Sequence, residues 1–449
     1  MGRLTPQRLV IVSFLCAIII GTIILSLPAA TKGDGRLSII DSLFTATSAT
    51  CVTGLIVKDT GSYFSPLGKW TIFALFQIGG LGIMTFSTLF AVMLGRKIGF
   101  YETDVIRSTL DKHNILGLKK LILYIIAITL AAELVGACFL FLRWKGITDW
   151  SLGTIISQAM FHSVSGFCNA GFSLFQNSLV QFQSDPWINL TMSVLILFGG
   201  IGFIVIMDII RVVRNKKPKH RLSLQSKIAL SVSFILIIAG VVFLLAFEKD
   251  GVMKEMSWPQ KIWGAVFQSI TARTAGFNTL PINQLSIPSL IGLTFLMFIG
   301  ASPGSTGGGI KTCTFAILAA IIYAMMKNKR RVMLFSRSIP KQIIRETIVI
   351  FFLAAVWIFV FTIILTCTQN AGGIENKGTF IKSFFEIVSA FGTVGLSTGI
   401  TAGLNNAGKL CIIATMFAGR VGPLTLTLAV AFKKRKDNYV YPEETVMVG

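Results

Sequence analysis

Residues 389–396 read Ser-Ala-Phe-Gly-Thr-Val-Gly-Leu, and three other segments of the chain follow the same plan. Each segment ends in a glycine followed by leucine or phenylalanine, at Gly54, Gly171, Gly276 and Gly395. These glycines lie 117, 105 and 119 residues apart. A period of about 110 residues, kept through four copies, predicts an internal four-fold duplication.

Each glycine segment lies in the same surroundings: an apolar span, a shorter semi-polar segment, the glycine, and a second span. A span needs about 20 apolar residues to cross a bilayer. The predicted spans are Leu9–Ala30, Trp70–Leu94, Leu121–Leu142, Trp187–Ile210, Ile228–Phe247, Ser289–Met326, Thr347–Cys367 and Lys409–Phe432. The shorter segments are predicted to be re-entrant half-helices: Ser38–Ala49, Ser151–Ser165, Trp258–Ala272 and Thr379–Ala390.

This arrangement predicts an all-α integral membrane protein in which four parallel repeats of span, half-helix, filter and span surround one pore. The repeats are predicted at 1–95, 96–216, 217–330 and 331–449, and the last includes a cytoplasmic tail. The second spans share glycine-containing motifs: Ile78-Gly-Gly-Leu-Gly82, Phe198-Gly-Gly-Ile-Gly202, Ile299-Gly-Ala-Ser-Pro303 and Phe417-Ala-Gly-Arg-Val421. In the third repeat this span is interrupted by the glycine-rich residues 301–309, so it is predicted to be a broken helix.

The composition supports a membrane class. Hydrophobic residues make up 53% of the chain and charged residues 13%, whereas a soluble domain carries about 25% charged residues. Disorder, a collagen-like structure and a cytosolic enzyme are therefore excluded. The seven Cys and three His show no spacing typical of a metal or disulfide site.

The net charge of +22 indicates topology. Of the 41 Lys and Arg residues, 26 fall in the two tails and three loops that the predicted spans place on one side. This bias predicts that the protein lies in the cell membrane with both termini in the cytoplasm. A dedicated polyanion site is the weaker interpretation, and no nucleic acid partner is predicted.

The predicted geometry favours a cation pathway. Half-helices entering from one side direct their partially negative C-terminal ends toward a common axis. Glycine allows the following backbone to turn its carbonyls inward, and rings of carbonyls can replace the hydration shell of a monovalent cation. An anion pathway would require helix N-termini or rings of Arg instead.

The segment Thr393-Val-Gly-Leu396 resembles the start of a potassium-channel filter, and the other three segments resemble degenerate versions of it. Four unequal repeats on one chain, one glycine per filter and a glycine-rich break in the third repeat resemble the Trk/Ktr/HKT superfamily of potassium transporters. The short length is most similar to the membrane subunit of a bacterial Ktr system. This resemblance covers nearly the whole chain.

The resemblance implies that backbone carbonyls of four residues in each repeat bind potassium. They are Val52, Thr53, Gly54, Leu55, Asn169, Ala170, Gly171, Phe172, Thr274, Ala275, Gly276, Phe277, Thr393, Val394, Gly395 and Leu396. The alternative is a set of glycines needed only for helix packing, which is weaker for four aligned copies than for one. In plant relatives, a Ser at the first filter glycine goes with sodium transport, so Gly54 favours potassium.

The break in the third repeat is a candidate gate. The segment Gly304-Ser-Thr-Gly-Gly-Gly-Ile-Lys-Thr312 nearly matches a phosphate loop, but Ile310 displaces the Lys and no strand precedes it. The resemblance instead implies a flexible intramembrane loop beneath the filter. The predicted gate residues are Ser305, Thr306, Gly307, Gly308, Gly309, Lys311 and Arg420. Ser305, Thr306 and Lys311 are expected to hold the loop shut.

Three charged residues lie where charge is costly. Arg420 in the last span is expected to pair with an acid inside the bundle and to guard the cavity. Arg273 is expected to point behind the third filter toward a carbonyl or an acid. For Glu133, a packing role and no special role are both left open.

The function predicted from these features is potassium uptake through a gated, channel-like pathway. The alternatives are a sodium-permeable or ion-coupled cation carrier and, in a different class, a polytopic membrane transferase. The transferase would need clustered His, Asp or Glu, which the sequence lacks. The resemblance implies a homodimer in the lipid bilayer and a peripheral cytoplasmic nucleotide-binding ring of the RCK type. The predicted cytoplasmic loops at 96–120 and 327–345 are either plain topology signals or, as the resemblance implies, the docking surface for this ring. The transported ion is potassium, the chain itself binds no nucleotide, and activation by sodium is left open.

Overall fold

The computed structural model describes residues 6–33, 35–82, 115–214, 222–370 and 379–422 of the 449-residue chain. The helices in these ranges are α1 (Pro6–Leu25), α2 (Ile39–Thr50), α3 (Thr60–Tyr63), α4 (Pro66–Gly80), α5 (Ile115–Ile147), α6 (Leu152–Cys168), α7 (Pro186–Ile201), α8 (Phe203–Arg214), α9 (Leu224–Glu248), α10 (Trp258–Thr271), α11 (Ile287–Phe298), α12 (Thr312–Met326), α13 (Lys341–Asn370), α14 (Thr379–Gly392) and α15 (Asn406–Val421). Two short strands, β1 (Met333–Leu334) and β2 (Arg337–Ser338), pair antiparallel between α12 and α13.

The helix starts follow from local sequence. Ser38 caps α2 by accepting the Asp41 N–H at 3.1 Å, and Ser151 caps α6 by accepting the Thr154 N–H at 3.4 Å. The helix after each filter begins at a polar cap, and in three repeats a proline follows within the first turn. These caps are Ser65, Asp185, Ser286 and Asn405. Such caps satisfy N–H groups that a helix end leaves unpaired.

The four predicted half-helices are present as α2, α6, α10 and α14, which extend one to three residues past their predicted C-terminal ends, except α10, which ends one residue earlier. Their C-terminal turns are buried, and α2, α6 and α14 each pack between the two spans of their own repeat, whereas α10 packs between the first span of its repeat and α7 of the preceding one. The outer helices face outward with large apolar side chains, such as Ile19, Ile20 and Ile23 on α1. This layering places polar half-helices inside and apolar surface outside, as a lipid environment requires.

Span length agrees only in part with the prediction. Within the described residues, three stretches are long and apolar enough to cross a membrane, namely Leu123–Ile147, Leu224–Glu248 and Lys341–Gln369. The bent pair α7 and α8 supplies a fourth. The predicted spans Trp70–Leu94 and Lys409–Phe432 run beyond the described residues, as do the repeat boundaries at 95/96 and 216/217.

The prediction of a plain span over Trp187–Ile210 is wrong. The chain bends by 97° between α7 and α8, because Gly202 adopts φ +95° and ψ +142°. The helices of the first and fourth repeats end at matching positions, where Gly82 and Gly422 have φ of +84° and +87°. The second spans of the second and third repeats are therefore both interrupted just below the filter, whereas those of the first and fourth run beyond the described residues at Gly82 and Gly422.

Two predicted loops also differ from the structure. The residues between 327 and 345, predicted as a loop, contain the hairpin of β1 and β2 and the first turn of α13. Of the loop predicted at 96–120, residues 96–114 lie outside the described residues. The remaining residues belong to α5, which begins at Ile115. Both differences arise because the pattern of apolar residues shows where a span lies, but it does not show a short hairpin or how far a helix continues beyond its apolar part.

Candidate ion pathway

The four filter segments share one backbone conformation. In each repeat, the filter glycine and the residue two positions before it both have positive φ. The pairs are Val52 (+56°) and Gly54 (+88°), Asn169 (+58°) and Gly171 (+71°), Thr274 (+81°) and Gly276 (+80°), and Thr393 (+49°) and Gly395 (+93°). Left-handed backbone is costly for β-branched residues and occurs mainly where surrounding structure imposes it at functional sites. The filter is thus the strained part of each repeat.

Backbone hydrogen bonds fix this conformation in all four repeats, with the acceptor five residues back in the first, second and fourth repeats and four residues back in the third. The residue before each glycine donates its N–H to a carbonyl in the last turns of the preceding half-helix, at 2.8–2.9 Å. The pairs are Thr53 to Ser48, Ala170 to Ser165, Ala275 to Thr271, and Val394 to Ser389. Each half-helix therefore holds its own filter segment directly, and the four filters are built alike.

The same half-helix residues use their hydroxyls to hold the outer end of the filter. Ser48 accepts the Gly54 N–H at 3.1 Å and donates to the Leu55 carbonyl at 2.7 Å. Ser165 donates to the Phe172 carbonyl at 2.8 Å, Thr271 to that of Phe277 at 2.7 Å, and Ser389 accepts the Gly395 N–H at 3.1 Å. These hydroxyl residues appear in the repeated sequence, but sequence reasoning assigned them no role.

The outermost carbonyls of the predicted site have hydrogen-bond donors of their own. The resemblance implies that the carbonyls of Leu55, Phe172 and Phe277 bind potassium. In the structure, each of these carbonyls accepts a hydroxyl from its own half-helix. The side chains of all three residues are buried as well, so they pack the filter against the surrounding helices.

The four glycines form a closed ring in the order of the sequence. A Cβ placed on Gly54 would lie 2.6 Å from the Ala170 carbonyl oxygen, and one on Gly171 would lie 2.9 Å from that of Ala275. A Cβ on Gly276 would overlap the Val394 oxygen, and one on Gly395 would overlap the Thr53 oxygen. No other residue fits these positions, because any side chain would collide with the backbone of the next repeat. Glycine is therefore required by contacts between repeats as well as by φ.

The interrupted segment of the third repeat lies directly beneath this ring. Gly308 donates its N–H to the Thr393 hydroxyl at 2.9 Å, and a Cβ on Gly307 would overlap the Thr274 hydroxyl. Thr306 donates its N–H to the Gly199 carbonyl at 3.2 Å, and Gly309 donates to that of Gly419 at 3.4 Å. The loop thus touches the lower filter residues of the third and fourth repeats and the second spans of the second and fourth.

The bend at Gly202 is part of the same contact. The Phe203 N–H donates to the Gly304 carbonyl at 3.1 Å, and the Ser302 N–H donates to that of Gly200 at 3.0 Å. A Cβ on Gly202 would lie 2.8 Å from the Pro303 carbonyl oxygen. The end of α7 and the start of α8 therefore hydrogen-bond to the loop on the side that faces the second repeat.

Arg420 differs from the sequence prediction. Its side chain is buried, with 7% of it exposed, but within the described chain it forms no salt bridge. Instead, its guanidinium donates to two carbonyls, those of Thr306 in the loop and Gly79 at the end of α4. Within the described residues these carbonyls, and no acid, are the partners of Arg420. The carbonyls that an interrupted helix and a loop leave unpaired supply the acceptors.

Of the other two side chains expected to hold the loop shut, Lys311 bonds to the loop backbone and Ser305 does not. The Lys311 ammonium donates to the carbonyls of Gly307 at 2.5 Å and Gly308 at 3.5 Å, so it caps the loop from within. Ser305 does not hold the loop, since its hydroxyl has no hydrogen-bond partner in the described residues. Ser302 has that role instead, because its hydroxyl accepts that of Thr312 at 3.1 Å.

The other two buried charges lie outside the ring. Arg273 is bound by α9, where it donates to the Ser233 carbonyl at 3.2 Å and to the Ser233 hydroxyl at 2.8 Å. The expectation that it points behind the filter to a carbonyl is confirmed. Glu133 accepts the Gln77 amide at 3.1 Å and the Cys168 thiol at 3.8 Å, so it connects α5 and α4 to the base of the second filter.

Two half-helix residues hold the outer mouth and were missed by sequence reasoning. Glu386 is fully buried and accepts hydrogen bonds from Ser397, Thr398 and Thr401, at 2.6–3.3 Å. His162 lies at the same position relative to its filter glycine, and its Nε2 lies 3.0 Å from the Ser173 hydroxyl. The signal was available, because both residues lie nine positions before the glycine of their repeat.

Four like filter segments closed by a glycine ring, with interrupted helices beneath them, define a cation-conducting membrane protein built from four repeats on one chain. Comparison with known sequences gives the family. The chain belongs to the TrkH family, whose profile, described as "Cation transport protein", matches residues 9–441. The predicted superfamily and the all-α membrane fold are confirmed. The family is one of transporters and not of enzymes.

Individual relatives match over nearly their full length. The chain is 38% identical over 449 residues to the Ktr system potassium uptake protein B of Bacillus subtilis, covering 100% of this chain and 97% of that protein. It is 37% identical over 453 residues to the potassium/sodium uptake protein NtpJ of Enterococcus hirae, covering 100% and 98%. The crystal structure of the potassium transporter TrkH from Vibrio parahaemolyticus has a similar fold, with a TM-score of 0.69 at 20% identity, over 93% of this chain and 84% of that one.

Proposed function

We propose that this chain is the translocating subunit of a potassium uptake system and conducts potassium through a gated, channel-like pathway. The observation that carries the proposal is the glycine ring, in which four like backbone segments meet around one axis. Full-length relatives named for potassium uptake support potassium as the ion. One relative is named for both potassium and sodium uptake, so the alternative within transport is a sodium-permeable or ion-coupled carrier.

Three carbonyl positions in each repeat are the proposed ion ligands. They are the filter glycine and the two residues before it, with Leu396 added in the fourth repeat, because the half-helix hydroxyls bond to the carbonyls of Leu55, Phe172 and Phe277. A dehydrated potassium ion needs its water ligands replaced by oxygens at similar distances, which stacked rings of carbonyls can supply. The hydroxyls of Ser48, Ser165, Thr271 and Ser389 position these segments without contacting the ion.

The loop between α11 and α12 is the proposed gate. It lies beneath the filter and is held by bonds to the second spans of the second and fourth repeats, and Arg420 of the fourth repeat also binds the first through Gly79. Arg420 adds a buried positive charge at the same level, which opposes the passage of a cation in this arrangement. Movement of α12 or α15 would break these few bonds and clear the path.

The assembly is proposed to be a homodimer that docks a cytoplasmic nucleotide-binding ring, with both termini in the cytoplasm. The word "system" in the names of the Ktr relatives supports partner subunits, and the placement of basic residues supports the orientation. Four repeats complete one pore within one chain, so a dimer would contain two separate pores. Activation by sodium belongs to the same proposal and is tested with the partner present.

Growth of a strain that lacks potassium uptake tests the function. Expression of this chain should restore growth at low external potassium, and more strongly together with its partner subunit. A Gly403→Ala variant is a matched control, because a Cβ on Gly403 meets open space. Absence of rescue by protein that is present in the membrane, with its partner, would contradict potassium uptake.

A further inference from the structure

The hairpin between α12 and α13 stands apart from the ion pathway. Its register pairs Met333 with Ser338 and Leu334 with Arg337. The Ile339 N–H extends the ladder by donating to the Val332 carbonyl at 2.9 Å. Strand β1 packs back against α12, so this ordered element is attached to the helix that leaves the gate loop.

The turn of the hairpin has bulky or β-substituted residues where a two-residue turn of this kind normally has Asn or Gly. Phe335 and Ser336 form the two-residue turn with φ of +46° and +61°. Hairpin turns of this type favour Asn or Gly at both positions, because left-handed backbone is costly for a bulky side chain. A phenylalanine here therefore indicates a use for its ring, and that ring is 52% exposed in the described part of the chain.

The surroundings of the hairpin are strongly basic. Residues 327–345 contain seven Lys and Arg and no acid, and all seven are exposed: Lys327, Lys329, Arg330, Arg331, Arg337, Lys341 and Arg345. Within the described chain none of them forms a salt bridge. Positive charge placed only to set topology would need neither an ordered hairpin nor an exposed aromatic tip.

The hairpin also lies close to the bilayer surface. The last helical residues of α12, Met325 and Met326, are 76% and 80% exposed, as expected for side chains in contact with lipid. Tyr323 is 53% exposed, and its ring lies 5.0 Å from the Lys329 ammonium. An aromatic ring beside a Lys marks the interface between acyl chains and headgroups. The hairpin begins seven residues after Met326, on the polar side of this level.

We propose that the hairpin at 333–338 and the basic residues flanking it at 330–341 bind anionic phospholipid headgroups of the adjacent leaflet, with the Phe335 ring inserted among them and the arginines on the phosphates. Basic side chains are attracted to an anionic membrane surface, and an apolar tip adds burial at the headgroup boundary. Arg is suited to bidentate phosphate contacts. An acidic protein surface would satisfy the charge, but it would not require an apolar tip at membrane level.

Lipid-dependent stability tests the site without reference to transport. Phosphatidylglycerol or phosphatidylcholine is added to the full chain in detergent micelles, and the thermal unfolding midpoint is measured. Phosphatidylglycerol should raise the midpoint of the wild type by several degrees more than phosphatidylcholine does, because a ligand that binds only the folded state stabilises it. Inorganic phosphate at equal charge should not reproduce the rise, since it offers no acyl region for Phe335.

Two hairpin variants and a control locate the effect. Arg330→Gln/Arg331→Gln should lose at least half of the phosphatidylglycerol-specific rise. Phe335→Asn, which keeps a residue suited to the turn, should also reduce it. Lys145→Gln/Lys254→Gln removes two exposed cations outside the hairpin, one from the last turn of α5 and one from the turn after α9, and should keep the full rise.

Equal phosphatidylglycerol responses in all these proteins would overturn the proposal. So would hairpin variants that keep the full lipid response but lose activation by the cytoplasmic partner, because the occupant would then be a protein. The readout is stability, so a negative result leaves the proposed potassium function untouched.

Discussion

At the scale of single residues, the filter glycines are constrained from two directions. Their positive φ excludes most side chains, and their Cβ positions are occupied by carbonyl oxygens of the next repeat. A substitution therefore strains its own repeat and displaces a proposed ion ligand in the neighbouring one. This makes the glycines the most sensitive positions of the pathway.

Gly395→Ser should lower potassium selectivity and flux more than Gly171→Ser does. A Cβ at Gly395 would overlap the Thr53 carbonyl oxygen, whereas one at Gly171 would lie 2.9 Å from that of Ala275, so less movement is needed there. Potassium and sodium uptake are measured separately in each variant, with Gly403→Ala as the control. Unchanged affinity and selectivity in Gly395→Ser would remove the filter assignment.

Arg420 binds the carbonyls of Thr306 and Gly79, and this choice of partners determines what its substitution should do. Because it binds carbonyls rather than an acid, Arg420→Gln leaves no buried carboxylate without a partner. The variant should fold and should conduct roughly tenfold faster, since a barrier lowered by about 1.4 kcal/mol gives a factor of ten. Flux into vesicles measures this directly.

Arg273→Gln is the matched control for that measurement, because Arg273 is also buried near the filter but binds α9 rather than the loop. It should not raise the flux. Wild-type flux in folded Arg420→Gln protein would show that Arg420 has no part in gating.

At the scale of elements, the gate loop is buried against the filter and is held in place by hydrogen bonds. Its glycines resist helix formation at a cost of up to about 1 kcal/mol each relative to Ala, and its bonds reach the second and fourth repeats. A segment without helical hydrogen bonds of its own depends on these partners, so a shift of α7 or α15 would release it. The two ends of the loop are joined by a parallel bridge between Ile299 and Ile310, so the loop can move as a unit.

Deletion of residues 304–309 should raise potassium flux and weaken its dependence on the cytoplasmic partner. Selectivity should stay the same, because the glycine ring lies above the loop. Flux is measured in vesicles with and without the partner, after thermal unfolding has verified that the deletion protein is folded. A folded deletion protein with unaltered flux in both conditions would mean that the loop only packs the pore.

At the scale of the whole molecule, periodic features were predictable and contacts between repeats were not. The four-fold spacing located the half-helices to within three residues and all four filter glycines. The partners of Arg420 lie 114 and 341 positions away in the sequence, so no local pattern could identify them.

The bend at Gly202 was equally hidden in the sequence. An apolar run of helical composition predicts a continuous span, whereas the bend arises from contact of Gly202 and Phe203 with the loop of another repeat. The left-handed backbone of Val52, Thr274 and Thr393 also contradicts local preference. Tertiary structure imposes it at the site where the ion is proposed to bind.

Ion-specific flux through the purified chain tests the central claim most directly. The chain is reconstituted with its cytoplasmic partner into vesicles that carry a potassium gradient in one series and an equal sodium gradient in another. Potassium flux should exceed sodium flux clearly in the wild type, and the difference should shrink in Gly395→Ser. Equal potassium and sodium flux in the wild type, or no flux of either ion through folded protein, would contradict a potassium-selective glycine ring.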